Sequence, residues 1–180
     1  EIVILNLENI FFIISIKKSR LMNIYFDNAA TTKLDKRVLE DMIPFMVENY
    51  GNPSSIHKHG REVKASVENS RNKIADILGV TPGEIFFTSG GTEADNTFII
   101  NAIYSRKIKT AITSKIEHHA VLHTLEDLEQ KNVIKILYVN IDSNGHIDYN
   151  HLEELISSHP KSLISLMHGN NEIGNITDIE

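Results

Sequence analysis

Residues 84–96 read Glu-Ile-Phe-Phe-Thr-Ser-Gly-Gly-Thr-Glu-Ala-Asp-Asn, an apolar run that gives way to two glycines and then to residues that start a helix well. The pattern predicts a strand over 84–88, a turn at Gly90 and Gly91, and a helix opening at Thr92. Glycines let the backbone approach a ligand closely, and the first N–H groups of a helix have no partner within it. With the Thr92 hydroxyl added, such a junction holds a phosphate. The same residues also suit a tight strand-to-helix connection capped by Ser89 or Thr92, so this stretch alone leaves both readings open.

Two more polar clusters close strand-like runs downstream. Ser114-Lys-Ile-Glu-His-His119 follows Thr110-Ala-Ile-Thr113, and His168-Gly-Asn-Asn-Glu-Ile-Gly174 follows Leu163-Ile-Ser-Leu-Met167. In an open parallel sheet the ligand lies beyond the carboxyl ends of the strands. Three clusters at three such ends are placed to converge on one ligand.

Around these clusters, strand-like and helical patterns alternate. Asp35 caps a helix carrying Val38, Leu39, Met42 and Met46, which Pro44 is expected to kink or shorten. Gly51–Ser55 reads as a loop. Val63, Val67, Ile74 and Leu78 then share one face of a longer helix that stops at Gly79. Beyond the glycine turn the pattern predicts a helix to about residue 105, a strand over 109–113, a helix over 118–131, a strand over 133–139, a helix over 148–157 and a strand over 162–167. Such alternation implies an α/β fold with a parallel sheet flanked by helices.

The chain has 180 residues, 41% hydrophobic and 23% charged, which is enough for one domain with a core. A net charge of −6, from 18 basic and 24 acidic residues, speaks against a nucleic-acid surface. There is no cysteine. That excludes a disulfide framework and a thiolate metal site, and makes an intracellular, cytoplasmic setting the expectation. Residues 1–21 read as a non-native or upstream extension ahead of Met22, with a buried first strand as the alternative. Their apolar run is interrupted by Asn6, Glu8 and Asn9, and what remains falls short of the roughly 18 residues of a membrane span. Thr177–Glu180 reads as the first turn of a helix, so residues 22–180 are expected to be the N-terminal part of a truncated domain.

Taken together, Tyr25-Phe-Asp-Asn-Ala-Ala-Thr-Thr32, Phe45–Tyr50 leading into Gly51-Asn-Pro-Ser-Ser55, Phe86–Asn96, Ile112–His118 with Ala120-Val-Leu122, and Met167-His168 with Asn170–Gly174 resemble the N-terminal part of the cysteine desulfurases. These are pyridoxal-phosphate enzymes of the class V aminotransferase-like superfamily. The resemblance runs from about Asn23 to Glu180. It implies part of the large domain of the fold-type-I pyridoxal-phosphate transferases, a mainly parallel sheet flanked by helices and here incomplete.

The resemblance also gives the clusters roles. Gly91 and Thr92 fall where the family binds the cofactor phosphate, which agrees with the chemical reading of that turn. His118 falls where a histidine stacks on the pyridine ring and helps to move protons. Asn171 falls where an asparagine hydrogen-bonds the ring oxygen of the cofactor. Asp27–Thr32 resembles a stretch near the substrate cleft. The implied reaction converts L-cysteine to L-alanine and passes sulfane sulfur to an enzyme cysteine, in a homodimer that serves a sulfur acceptor or iron–sulfur scaffold protein. The aspartate, the attaching lysine and the catalytic cysteine of the family lie in segments beyond the equivalent of Glu180, so the chain alone is expected to be inactive; the sheet edges and helix-covering faces that truncation exposes make it expected to be poorly soluble. A selenocysteine lyase, another class V enzyme, or a non-catalytic remnant are the alternatives.

The other candidates read as structural. Lys115 lies in the Ser-Lys-Ile-Glu-His segment and not in a cofactor-attaching motif. His119 and His123 stand four apart, a spacing that suits metal, yet no third ligand is apparent and a solvated helix face is the expectation. His57 and His59 read as surface residues.

Overall fold

The computed structural model describes residues 2–7, 10–15 and 24–178. The expected start at Met22 lies outside the described residues, as do Ile179 and Glu180 of the expected last helical turn. By compactness the chain divides into two units, Glu1–Ile43 and Pro44–Glu180.

In the first unit, β1 (Ile2–Leu7) and β2 (Ile10–Ser15) pair antiparallel, from Ile2 opposite Ser15 to Leu7 opposite Ile10. Where the alternative reading had one buried first strand, two strands pair over these residues. Farther on, the Ala30 and Thr31 N–H groups both bond the Asp27 carbonyl at 3.2 Å, which makes Asp27–Thr31 a turn. Asp35 accepts the Arg37 N–H at 2.8 Å and so caps α1 (Lys36–Val47) as expected. Pro44 does not shorten α1, which continues to Val47.

The second unit is organised around a parallel sheet. α2 (Lys58–Leu78) ends at Gly79, whose φ of 68° is the left-handed geometry that favours glycine. After a short 3-10 turn at Pro82–Glu84 come α3 (Gly91–Arg106), β3 (Thr110–Thr113), α4 (His119–Gln130), β4 (Lys135–Tyr138), α5 (Tyr149–Ser158) and β5 (Ser162–Ser165). The strand order is β4-β3-β5, all parallel, with Thr110 opposite both Lys135 and Ser162. α4 carries the chain from β3 to β4, and α5 returns it to β5 on the far side of β3. The order thus reverses at β3, which places a crevice beyond the carboxyl ends of β3 and β5.

The core shows why these segments hold together. Ile99 and Ile103 of α3 and Val121, Leu125 and Leu128 of α4 are buried with Ala111 of β3, Ile136 of β4 and Leu163 of β5. A spacing of four puts Ile99 and Ile103 of α3 on one face, and α4 buries Val121, Leu125 and Leu128 in the same way, so two helices close over the three short strands while Phe98, Ile100 and Tyr104 of α3 stay exposed.

The expected strand over 84–88 does not form: among the described residues it pairs with no strand. A strand needs a neighbour's backbone, and β4 and β5, not this segment, occupy the two sides of β3. Arg71 of α2 holds the segment instead, donating from its guanidinium to the Ile85 carbonyl and lying 4.9 Å from the centre of the Phe87 ring.

Candidate active site

β3 ends in buried polar residues. Thr113 and Ser114 are both fully buried, and Glu117, in the turn that leads to α4, is nearly so. Ser114 Oγ donates to Glu117 Oε1 at 2.9 Å, and the Met167 N–H, just past β5, donates to the same oxygen at 2.7 Å. Burial pushes the Glu117 carboxyl above its usual range, against the lowering effect of the Met167 and Ser114 hydrogen bonds, with Asp95 adding to the rise.

The loop after β5 is held just as firmly. Asn170 is buried, donates from Nδ2 to the Ile116 carbonyl at 2.9 Å, and accepts the N–H groups of Glu172 and Ile173 at 2.8 and 3.2 Å. Its own N–H bonds the Asn175 carbonyl, and the Thr177 N–H bonds that of His168. Thr177 therefore closes this loop, and the helix it was expected to cap lies outside the described residues.

His118 and Asn171, each one residue beyond a buried anchor, are exposed and line one cavity of about 360 Å³ with Glu117, Met167, Asn170 and Glu172. His118 is also the cap of α4, its Nδ1 accepting the Ala120 N–H at 3.1 Å. That bond uses the Nδ1 lone pair, so the neutral ring carries its proton on Nε2, the nitrogen left for other partners. The Asn171 amide donates to Glu172 Oε1 at 3.1 Å.

Gly91 and Thr92 are not among the residues that line this cavity. They open α3, which is joined to α4 by the hydrogen bond from Thr124 Oγ1 to Asn96 Oδ1. Two of the three polar clusters thus share one cavity, and the third stands at the neighbouring helix start. The cap of α3 is Gly90, not Ser89 or Thr92. Ser89 instead gives both its N–H and its hydroxyl to Glu93 Oε2 at 2.6 Å, and these bonds lower the Glu93 carboxyl below its usual range. Gly90 has φ 171°, extended backbone that any residue adopts, and a Cβ on Gly90 or Gly91 would meet nothing within 4 Å. What these glycines supply is open space over the helix N–H groups, not an otherwise forbidden turn.

The remaining candidates are peripheral. The Lys115 ammonium lies 5.7 Å from the centre of the Tyr138 ring. His119 and His123 are exposed with ring centres 5.1 Å apart, and among the described residues no group of three potential metal ligands occurs. His57 caps α2 by accepting the Gly60 N–H. Among the described residues no helix is long and apolar enough to cross a membrane.

A family model described as aminotransferase class-V matches residues 24–180. The chain belongs to the class-V aminotransferase family. Among its relatives, this class-V chain is 46% identical over 159 residues to the cysteine desulfurase IscS of Dictyoglomus turgidum, covering 87% of the chain and 40% of the relative. It is 45% identical to the cysteine desulfurase IscS of Methanosarcina thermophila, covering 87% and 39%. A solved NifS-like protein superposes with a TM-score of 0.81 at 45% identity, over 87% of the class-V chain and 43% of the other. SspA, solved in complex with cysteine, superposes with a TM-score of 0.79 at 37% identity, over 87% and 45%. The class-V chain thus spans about two fifths of the length of the curated relatives it matches. The resemblance read from the motifs is borne out, and so is the incomplete parallel sheet flanked by helices.

Glu117 and Asn170, which organise the cavity, were not singled out in the sequence. Each sits inside a quoted polar cluster beside a more recognisable neighbour. The available signal was a polar residue closing an apolar run, where burial forces it to find partners.

Proposed function

We propose that residues 22–180 are the N-terminal part of a pyridoxal-phosphate-dependent cysteine desulfurase, preceded by an extension over residues 1–21. The whole protein would break the C–S bond of L-cysteine, pass the sulfur to a cysteine thiol and leave L-alanine. It would act as a cytoplasmic homodimer that delivers sulfur to an acceptor or to an iron–sulfur scaffold protein. The observation that carries the reading is the cavity beyond β3 and β5, where His118 and Asn171 stand together in a chain 46% identical to a cysteine desulfurase. This chain contains no cysteine, so the sulfur-accepting thiol is not one of its residues.

The donor set fits pyridoxal phosphate. The N–H groups of Gly91 and Thr92, with the Thr92 hydroxyl, would take the phosphate, helped by the positive end of α3. The His118 imidazole would lie against the ring, and its Nε2 would give and take the proton. The Asn171 amide would donate to the ring oxygen. Bound there, the cofactor supplies the electron sink for the cleavage.

Titrating the chain with pyridoxal phosphate and following cofactor fluorescence tests this reading. His118→Asn keeps a capping acceptor at the start of α4 while removing the ring, so its effect reports stacking and not helix loss. Loss of a ring contact worth about 1 kcal/mol should weaken binding roughly fivefold. Binding by His118→Asn at the parent's affinity would sink the role given to His118, and a folded parent chain that does not bind the cofactor would sink the cofactor site assigned to Gly91, Thr92, His118 and Asn171.

A further inference from the structure

Glu117 makes none of the contacts proposed for the cofactor, yet among the described residues it is the one buried acidic side chain. A buried carboxyl is costly unless hydrogen bonds answer it. Here one oxygen, Oε1, takes two donors, the Ser114 hydroxyl at 2.9 Å and the Met167 N–H at 2.7 Å. These donors lie past the ends of adjacent parallel strands, so Glu117 fastens β3 to β5 where no ladder continues.

A second cross-link runs beside it, from Asn170 Nδ2 to the Ile116 carbonyl. The two bonds join the same two loops. His118 follows the Glu117 anchor by one residue, and Asn171 follows the Asn170 anchor by one residue, with both exposed into the shared cavity. Their separation is therefore set by the cross-links behind them.

We propose that Glu117 is the positioning residue of this site, drawing Ser114 and Met167 onto one carboxylate oxygen so that the His118 ring and the Asn171 amide stand at a single spacing. The proposal rests on the cofactor reading only for what that pair grips. A carboxylate accepts more strongly than a neutral oxygen, so the grip is firmest when Glu117 is ionised. Ionisable groups around it are Asp95 of α3, His118 and His119 at the start of α4, and Glu172 of the last loop.

The test is amide NMR on the isotope-labelled 180-residue chain, with Glu117→Gln and Glu117→Leu beside it. In the parent, the Met167 N–H and the Asn170 side-chain amide are expected to shift together as the pH falls through the raised Glu117 range, and Glu117→Gln is expected to lose that shared step. Glu117→Leu, which has no acceptor, is expected to bind pyridoxal phosphate at least about tenfold more weakly, the worth of a hydrogen bond to a charged group. A flat Met167 signal in the parent, or the same step in Glu117→Gln, overturns the proposal. So does parent-like cofactor binding by a folded Glu117→Leu. If Glu117→Leu does not fold, the parent and Glu117→Gln titrations decide. If the folded parent itself binds no pyridoxal phosphate, the cofactor site assigned to Gly91, Thr92, His118 and Asn171 fails and the shared step still decides the role of Glu117.

Discussion

Thr113 is fully buried at the end of β3, and its hydroxyl has no hydrogen-bond partner. An unanswered buried hydroxyl costs about 1–3 kcal/mol. Thr113→Val, which keeps the shape, is expected to raise stability by about 1 kcal/mol in chemical denaturation, and a destabilised variant would mean the hydroxyl has a partner after all. Glu117 sets a second expectation. Its folded-state carboxyl holds its proton more tightly than in the unfolded chain, so stability should fall as the pH rises from the ordinary carboxylate range through the raised value, then level off. Thermal unfolding of Glu117→Gln across the same range should lack that fall. At this scale the sequence offered His118, Gly91, Thr92 and Asn171 as candidates because each belongs to a recognisable motif. It did not disclose Glu117 or Asn170, whose importance arises from partners 50 and 54 positions away.

Elements were legible where a local cause makes them. Apolar spacing for α1, α2 and α4, and the turns that precede α3 and α5, located the five helices among the described residues to within a few residues of their ends, except α2, which begins before its first patterned residue; Gly79 ends α2 in the left-handed geometry. Gly79→Ala would place a Cβ in open space yet strain the backbone, so a loss of about 1 kcal/mol in unfolding free energy is expected. An unchanged free energy would show that the cap does not hold this geometry in solution. The strand over 84–88 failed for a different reason. Its apolar run encodes burial against something but does not name the neighbour, and β3 already has β4 and β5 on its two sides. Pro44 did not shorten α1, which continues past it despite the missing donor.

Viewed whole, the second unit leaves large apolar side chains in water. Phe86 and Phe98 are 80% and 64% exposed and flank a groove of about 480 Å³ with Thr88, Ala94, Thr97 and Asn101. Exposed aromatic surface of this kind drives association. Sedimentation velocity on the chain should show self-association that Phe86→Ser with Phe98→Ser reduces, and a parent that sediments as a monomer at every concentration would contradict this. The α/β class was legible in the alternation of patterns, but the order β4-β3-β5 was not, because period and composition say nothing of which strands adjoin. That order also sets a timetable for synthesis. β3 can join β4 once residue 138 has been made, but its other side and the oxygen of Glu117 wait for Met167. At a ribosomal pace of about 5–20 residues per second, those 29 residues (138 to 167) take about 1.5–6 s. For that interval the nascent chain carries a half-made sheet and a carboxylate still without its partner from the far strand, a window in which a chaperone has something to hold.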